Sequence, residues 1–487
     1  MSLPGTGVWE VRVTNGTDTN GGGFDSAAAG TDMSVFNNKN SSGGTNCQST
    51  TNNLSTTDLT TTTTGSFTCT SSTAAFTSAI TGNFIYLTGG TGGTVTTGWY
   101  KATYVSATQI NLDRSPGAAA TLVTMNIGGA LKTLGQVNTI LTSTNMNTTG
   151  QVVWVKAEAT VSITSTITLS PNGSSGLLQP TQINGYTTTR GDNGQVTIQA
   201  SSSGPNPLMT LNPNTGVIYR NFIVDGNSKA GLSGMTVEGQ GACIKNFLVK
   251  NCTNGGISFN NNGNQAFQCI VTACGSTSGS AFRMEQSNGP NYATDCIAYA
   301  NSCSGFTGAC AILVRCISAN NTGSTSDGFG GTTSGAGMGS NTGGLILDHC
   351  LAYTNGRDGF RFNNPIVTPI IFENCISYGN TGKDIDCLGA LTIGAMENNY
   401  NGYATTTNYQ AGLNDIVLTA DPTVAGASNN FALNSTAGGG GALAGLGFPG
   451  VLTVGGTGYA SPGPLDPKGT STVALSVSIQ DPLWYGV

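Results

Sequence analysis

One short phrase recurs seven times through the middle of this 487-residue chain, and it constrains the fold more than any other feature. Asn246-Phe247-Leu248-Val249 returns as Gln268-Cys269-Ile270-Val271, Asp295-Cys296-Ile297-Ala298 and Arg315-Cys316-Ile317-Ser318. It returns again as His349-Cys350-Leu351-Ala352 and Asn374-Cys375-Ile376-Ser377, and Arg220-Asn221-Phe222-Ile223 is an earlier copy. The Phe or Cys falls at 222, 247, 269, 296, 316, 350 and 375, at intervals of 25, 22, 27, 20, 34 and 25 residues. An array of helical hairpins would keep a fixed period. A constant short strand between turns of unequal length belongs to a β-solenoid, whose strands stay in register while its corners vary. The longest interval carries the Gly/Ser/Thr-rich stretch Gly323–Gly344, expected to loop out from one corner.

Each copy continues in the same way. Cys296-Ile297-Ala298-Tyr299-Ala300-Asn301 leads to Gly305-Phe306, and Cys350-Leu351-Ala352-Tyr353-Thr354-Asn355 leads to Gly359-Phe360. Alternation makes strands, and Asn and Gly accept the left-handed backbone that corners need. Stacking places Cys over Cys and Asn over Asn at about 4.8 Å. A narrow interior favours small apolar side chains, which accounts for a cysteine column without redox chemistry.

Composition agrees. Asp, Glu, Lys and Arg make up 8% of residues, against about 25% in ordinary globular proteins. Yet 37% are hydrophobic and the net charge is only −6, which is not the signature of disorder. Thr, Val and Ile favour strands, and 72 glycines favour turns, so the chain is expected to be all-β. Sparse, scattered basic residues exclude a nucleic-acid face, and no apolar run has the length of a membrane span. Met1-Ser2-Leu3-Pro4-Gly5 begins without a basic or apolar leader, so no signal peptide is expected. Thirteen cysteines without a compact framework, and a single histidine, predict buried thiols, no metal site and no cofactor. A Cys47–Cys69 pairing is left open.

Gly150-Gln151-Val152-Val153-Trp154-Val155-Lys156-Ala157, then Ile183-Asn184-Gly185-Tyr186 and Arg190-Gly191-Asp192, resemble the first coils of the right-handed parallel β-helix superfamily. There a D-x-(V/I)-x-(V/I)-x-x-G strand leads to an I-x-G-Y strand and a G-D turn; here Gln151 replaces the Asp and Glu158 the Gly. Asp421-Pro422-Thr423-Val424 and Asn430-Phe431-Ala432-Leu433 resemble its closing coils. The superfamily includes pectate and alginate lyases, glycan hydrolases, phage tailspikes, adhesins and inert structural proteins, so the resemblance implies a fold and leaves function open. Val8–Val13, followed by the Gly-rich Gly16–Phe24, is similar to the openings of phage-encoded β-helix proteins.

The expected organisation is an N-terminal segment over residues 1–53, a small β-rich module over 54–127, the β-helix over 128–455 and a strand tail over 456–487. Phe84–Leu87, Trp99–Val105 and Gln109–Leu112 are strands of the module, and Leu131–Ser143 has the apolar spacing of a capping helix. In the tail, Val473, Leu475, Val477 and Ile479 alternate, giving one apolar face that asks for a partner.

Chemistry has few places to sit. Repeat alignment puts Asp327, in Ser326-Asp327-Gly328-Phe329, over Asp358, in Arg357-Asp358-Gly359-Phe360. Two stacked carboxylates beside Arg357 have the composition of a polysaccharide-cleaving site, where acid and base lie about 5 to 9.5 Å apart. The competing reading is ordinary Asp-Gly turn chemistry. Tyr299, Tyr353 and Tyr378 share a column able to stack on sugar rings, or simply to pack. His349 occupies a position that also takes Gln268, Asp295, Arg315 and Asn374, and is expected to face solvent.

The phage resemblance, with the low charge, leads to a non-enzymatic virion structural protein displayed on a phage surface as capsid decoration, spike or fibre. It would assemble in the host cytoplasm. The resemblance implies a homotrimer contacting other virion proteins and, weakly, host surface polysaccharide. A tailspike-like depolymerase, hydrolase or lyase, is the enzymatic alternative, and an adhesin exported without a classical signal is a third.

Overall fold

The computed structural model describes residues 7–36, 55–63, 67–141, 150–171, 180–213, 216–276, 279–284, 289–308, 310–330, 338, 344–363, 370–389, 396–428 and 430–444. The fold is a right-handed parallel β-helix. The chain divides into two compact units, one built from Met1–Gly204, Met209–Val224 and Glu238–Cys243, the other from Pro205–Leu208, Asp225–Val237 and Ile244–Val487.

In the first unit Gly7–Arg12 pairs in parallel with Val152–Lys156, which pairs with Thr181–Tyr186, which pairs with Val217–Asp225. The stack thus takes its first rung from the N-terminal strand, upstream of residue 128. Sequence alone separates the two because 139 residues intervene between Arg12 and Val152. Two shorter pairings, Val161–Ile163 with Val196–Ala200 and Ile167–Leu169 with Met209–Leu211, supply the other faces. Gly185 of the I-x-G-Y strand is required by close approach, since a Cβ there would lie 2.2 Å from the Asn221 carbonyl oxygen.

Between these rungs, Ser55–Thr61, Thr68–Thr70, Phe84–Thr91, Gly98–Ser106, Gln109–Leu112 and Thr121–Ile127 close an antiparallel barrel. Its core includes Leu59, Cys69, Ile85, Tyr100, Ile110 and Met125. Burial pushes the Cys69 thiol up to about 12; Cys47 lies outside the described residues, so their pairing does too. Within the span Leu131–Ser143, where a helix is expected, the structure has a helix over Gly135–Ile140, which buries Val137 and Ile140. Asn138 ties it to the Ile167–Leu169 strand, donating to the Thr168 carbonyl at 2.7 Å and accepting from the Ser170 amide at 2.8 Å.

In the second unit three parallel stacks run coil by coil. The first joins Cys243–Lys250, Ile270–Thr272, Ile297–Tyr299, Ile317–Ala319, Leu351–Tyr353, Ile376–Tyr378, Gly402–Tyr403 and Ile416–Val417. The second joins Gln265–Phe267, Asn291–Thr294, Ala311–Val314, Leu345–Asp348, Ile370–Glu373 and Met396–Asn399. The third runs from Ser233–Val237 through Gly255–Phe259, Ser280–Met284, Ser304–Gly308, Phe329–Gly330, Phe360–Phe362 and Ile385–Cys387 to Thr406–Thr407.

The repeat explains these stacks residue by residue. Asn246, Gln268, Asp295, Arg315, His349 and Asn374 all adopt φ between 52° and 56°, turning the chain left-handed just before the buried Phe or Cys. A second left-handed column holds Asn251, Ala273, Ala300, Asn320 and Thr354, and ends on Gly379. For Arg, His, Ala or Thr this conformation costs about 1 kcal/mol or more. It persists because ladder hydrogen bonds on both sides fix it. Behind the first corner the thiols of Cys269, Cys296, Cys316, Cys350 and Cys375 form a buried file, each sulfur donating to the carbonyl two residues earlier. Behind the second corner Asn301, Asn321, Asn355 and Asn380 form an amide ladder with 2.9 Å rungs. In the third stack the rings of Phe282, Phe306, Phe329 and Phe360 lie face over face, with centroids 4.7, 5.0 and 4.7 Å apart.

Candidate functional site

The structure brings Asp327, Arg357 and Asp358 together in the second unit, as the repeat alignment requires. The Arg357 guanidinium grips Asp327 with two hydrogen bonds, from Nε to Oδ1 at 2.6 Å and from a terminal nitrogen to Oδ2. Asp327 Oδ1 also accepts from the Asp358 amide at 3.3 Å. Asp358 in turn accepts from the Lys383 amide at Oδ1, 2.8 Å away, and from Arg361 at Oδ2, 3.0 Å away, and Arg357 Nε lies 3.6 Å from the same Oδ2. Arg361 continues the chain to Asp386 at 3.6 Å. Three carboxylates and two guanidiniums therefore alternate through adjacent coils.

Accessibility decides what such a chain can do. Asp327 is 0% and Asp358 4% exposed. Burial raises the Asp327 pKa, and the Arg357 hydrogen bond and charge only partly offset it. A group acting as general acid or base has to reach the proton it moves. Asp327 has no path to a polymer outside, and both its oxygens are occupied. The arrangement is an internal strut that offsets the desolvation of two acids. Asp386 stands apart, with a side chain 15% exposed. Its pKa is raised by burial and then by the charge of Asp358, against Arg361, Arg357 and Lys383.

The tyrosine column is interrupted and partly covered. In register the positions read Thr272, Tyr299, Ala319, Tyr353 and Tyr378, so Ala319 separates Tyr299 from the other two. Tyr353 is 7% exposed, stacks edge-on to Phe431 at 5.9 Å and donates to Asp421 at 2.7 Å. It is a packing residue and not an open sugar platform, because the closing segment folds back over it. Tyr299 and Tyr378 remain half-buried. His349 also differs from expectation: its ring nitrogen lies 2.6 Å from Asp348, and its side chain is 12% exposed. Asp348 is held below the usual carboxylate range, where the His349 and Asn374 hydrogen bonds outweigh burial.

A second ionic cluster, in the first unit, was not foreseen. Glu10 is wholly buried in the first rung. Its Oε1 accepts from Arg12 Nε at 3.0 Å and from the Tyr186 hydroxyl, and its Oε2 from Arg190 at 2.8 Å. Arg190 also donates to Asp32 at 2.7 Å and to Ser34 at 2.9 Å. Burial, then the Glu10 charge, drives the Tyr186 hydroxyl pKa well up. Tyr186 and Arg190 stand out in the sequence as marks of the fold, but nothing in the pattern couples them to an acid 176 and 180 residues away.

Among the described residues no group of three His, Cys, Asp or Glu side chains is placed to hold a metal ion, and no helix is long and apolar enough to cross a membrane. No protein-family model and no curated protein matches this sequence. Among solved structures, the crystal structure of pectate lyase Pel9A is similar over 65% of this chain and 88% of that one, at 13% identity and a TM-score of 0.36. The likeness is one of fold, and it carries no argument about activity.

Proposed function

We propose that this chain is a non-enzymatic structural solenoid of a phage particle, displayed on the virion surface as a capsid decoration or as part of a spike or fibre. The observation that carries the scaffold half of this reading is the fate of Asp327. The best acidic pair in the sequence is spent on holding coils together, with one carboxylate shut from solvent. The virion half rests on the resemblance of Val8–Phe24 to phage β-helix openings. Homotrimer formation and weak adhesion to host surface polysaccharide, through the half-buried Tyr299 and Tyr378, belong to the same reading. Mass spectrometry of purified virions tests it: the protein is expected in stoichiometric amounts, and its absence from particles overturns the proposal.

A depolymerase reading is kept because of Asp386, whose raised, partly exposed carboxyl sits beside Arg361. Incubation with host capsular polysaccharide discriminates. New reducing ends or unsaturated uronates, lost in Asp386→Asn with the fold intact, would replace the scaffold reading by an enzymatic one.

A further inference from the structure

One outward-facing position repeats down the first stack of the second unit. Leu248, Ile270, Ile297, Ile317, Leu351 and Ile376 stand in register, one above the next. They form an aliphatic strip six coils long on the outside of the solenoid, where polar residues are the norm for a water-facing strand. Half of it is covered. Leu418, Phe431, Leu433 and Leu443 pack over Ile317, Leu351 and Ile376, whose exposures are 7%, 1% and 1%. Ile297 touches this cluster at its margin. Leu248 and Ile270 lie outside it and are half-buried. The cover stops midway along a strip that does not.

We propose that the segment Thr472–Ile479 of the same chain, whose alternation predicts a strand, covers the rest of the strip, seating its apolar face over Leu248, Ile270 and Ile297. Three observations favour this occupant. The strip is continuous with the part that residues 418–443 of this chain already cover, so the same solution extended by one more segment completes it. Forty-three residues follow Ala444, and among them Val473, Leu475, Val477 and Ile479 alternate on one face with Ala474, Ser476 and Ser478 on the other. No charged residue lies between Lys468 and Asp481, and in the next column Lys250 is already paired with Asp225 at 3.5 Å and is followed by Thr272 and Tyr299. Reach is not limiting. The 27 residues from 445 to 471 extend to at most about 90 Å, whereas three coils at about 4.8 Å each separate Ile317 from Leu248.

The test uses the full chain with the photocrosslinker p-benzoylphenylalanine in place of Ile270, and a control carrying it in place of Ile346. Ile346 lies outward in a different column, with Ile312 and Ile371. Irradiation is expected to join position 270 to residues 472–479 with monomer mass retained, and to give no such product from position 346. A dimer-mass product linking two copies, or a product lacking residues 472–479, overturns the proposal. Hydrogen exchange supplies a second readout. Leu475→Asp with Val477→Asp should speed exchange in Ile270–Thr272 and Ile297–Tyr299 roughly tenfold, leaving Ile376–Tyr378 unchanged; equal rates in all three strands count against it.

Discussion

Glu10 and Asp327 are both buried acids held by arginine, but they are held differently. Asp327 is gripped by Arg357, 30 residues on, in the next coil of a repeating stack. Glu10 is gripped by Arg190 and Tyr186, 180 and 176 residues on, and by Arg12 within its own strand. The first is a rung between neighbours; the second is a clasp that fixes the start of the solenoid after a barrel-sized excursion. A chain with 8% charged residues spends part of that scarce charge on holding strands together at both places.

The sharpest way to break this comparison is Arg190→Ala. It leaves Glu10 buried with fewer partners and also frees Asp32, so a loss of about 3–5 kcal/mol is expected in chemical denaturation followed by tryptophan fluorescence. Trp9 lies in the clasped strand and reports directly. Arg357→Ala should cost less, about 2–4 kcal/mol at neutral pH, because Asp327 can take up a proton when its guanidinium is lost. Its pKa already lies above the ordinary value. A carboxyl with a raised folded pKa binds its proton more tightly folded than unfolded. Its contribution is therefore fully present below the unfolded pKa and lost as pH rises through the folded one. The Arg357→Ala deficit should accordingly shrink as pH falls toward 4, while Asp327→Asn should flatten the pH dependence of stability in that window. A deficit independent of pH would show that Asp327 stays charged.

The amide ladder comes next. Asn321 donates to Asn355 and accepts from Asn301, so Asn321→Ala orphans groups in both neighbours, and about 1–3 kcal/mol should be lost. The smallest effect is expected in the thiol file, where Cys316→Ala removes one buried sulfur for about 1 kcal/mol. Burial raises the pKa of Cys269, Cys296, Cys316 and Cys350 well above the usual thiol value. Thiol reagents should therefore label the folded chain slowly at these four positions and rapidly after unfolding.

What the sequence made legible follows the same division. The repeat located the buried Phe and Cys positions, the left-handed corners and the stacking of Asp327 on Asp358, because each depends on neighbours one coil away. It suggested Asn or Gly at corners, yet Arg315, His349, Ala300 and Thr354 adopt the same φ, since the ladder on either side leaves them no alternative. It did not reveal that Arg357 occupies both Asp327 oxygens, or that Phe431 and Asp421 enclose Tyr353. Side-chain rotamers and a segment folding back from 68 residues downstream leave no period to read. The Glu10 clasp was invisible for the same reason, at greater distance.

The four-ring phenylalanine stack has a consequence for folding. Phe282, Phe306, Phe329 and Phe360 are interchangeable, so a chain that slipped by one whole coil would still set ring upon ring. Such a column rewards elongation without telling a growing strand which neighbour is its own. Asp327 and Arg357 supply the missing address: a slipped coil would bury the acid without its guanidinium. Sparse charge, on this view, is the index mark on an otherwise unmarked ruler, and it keeps a repetitive chain from adopting its own near-copies.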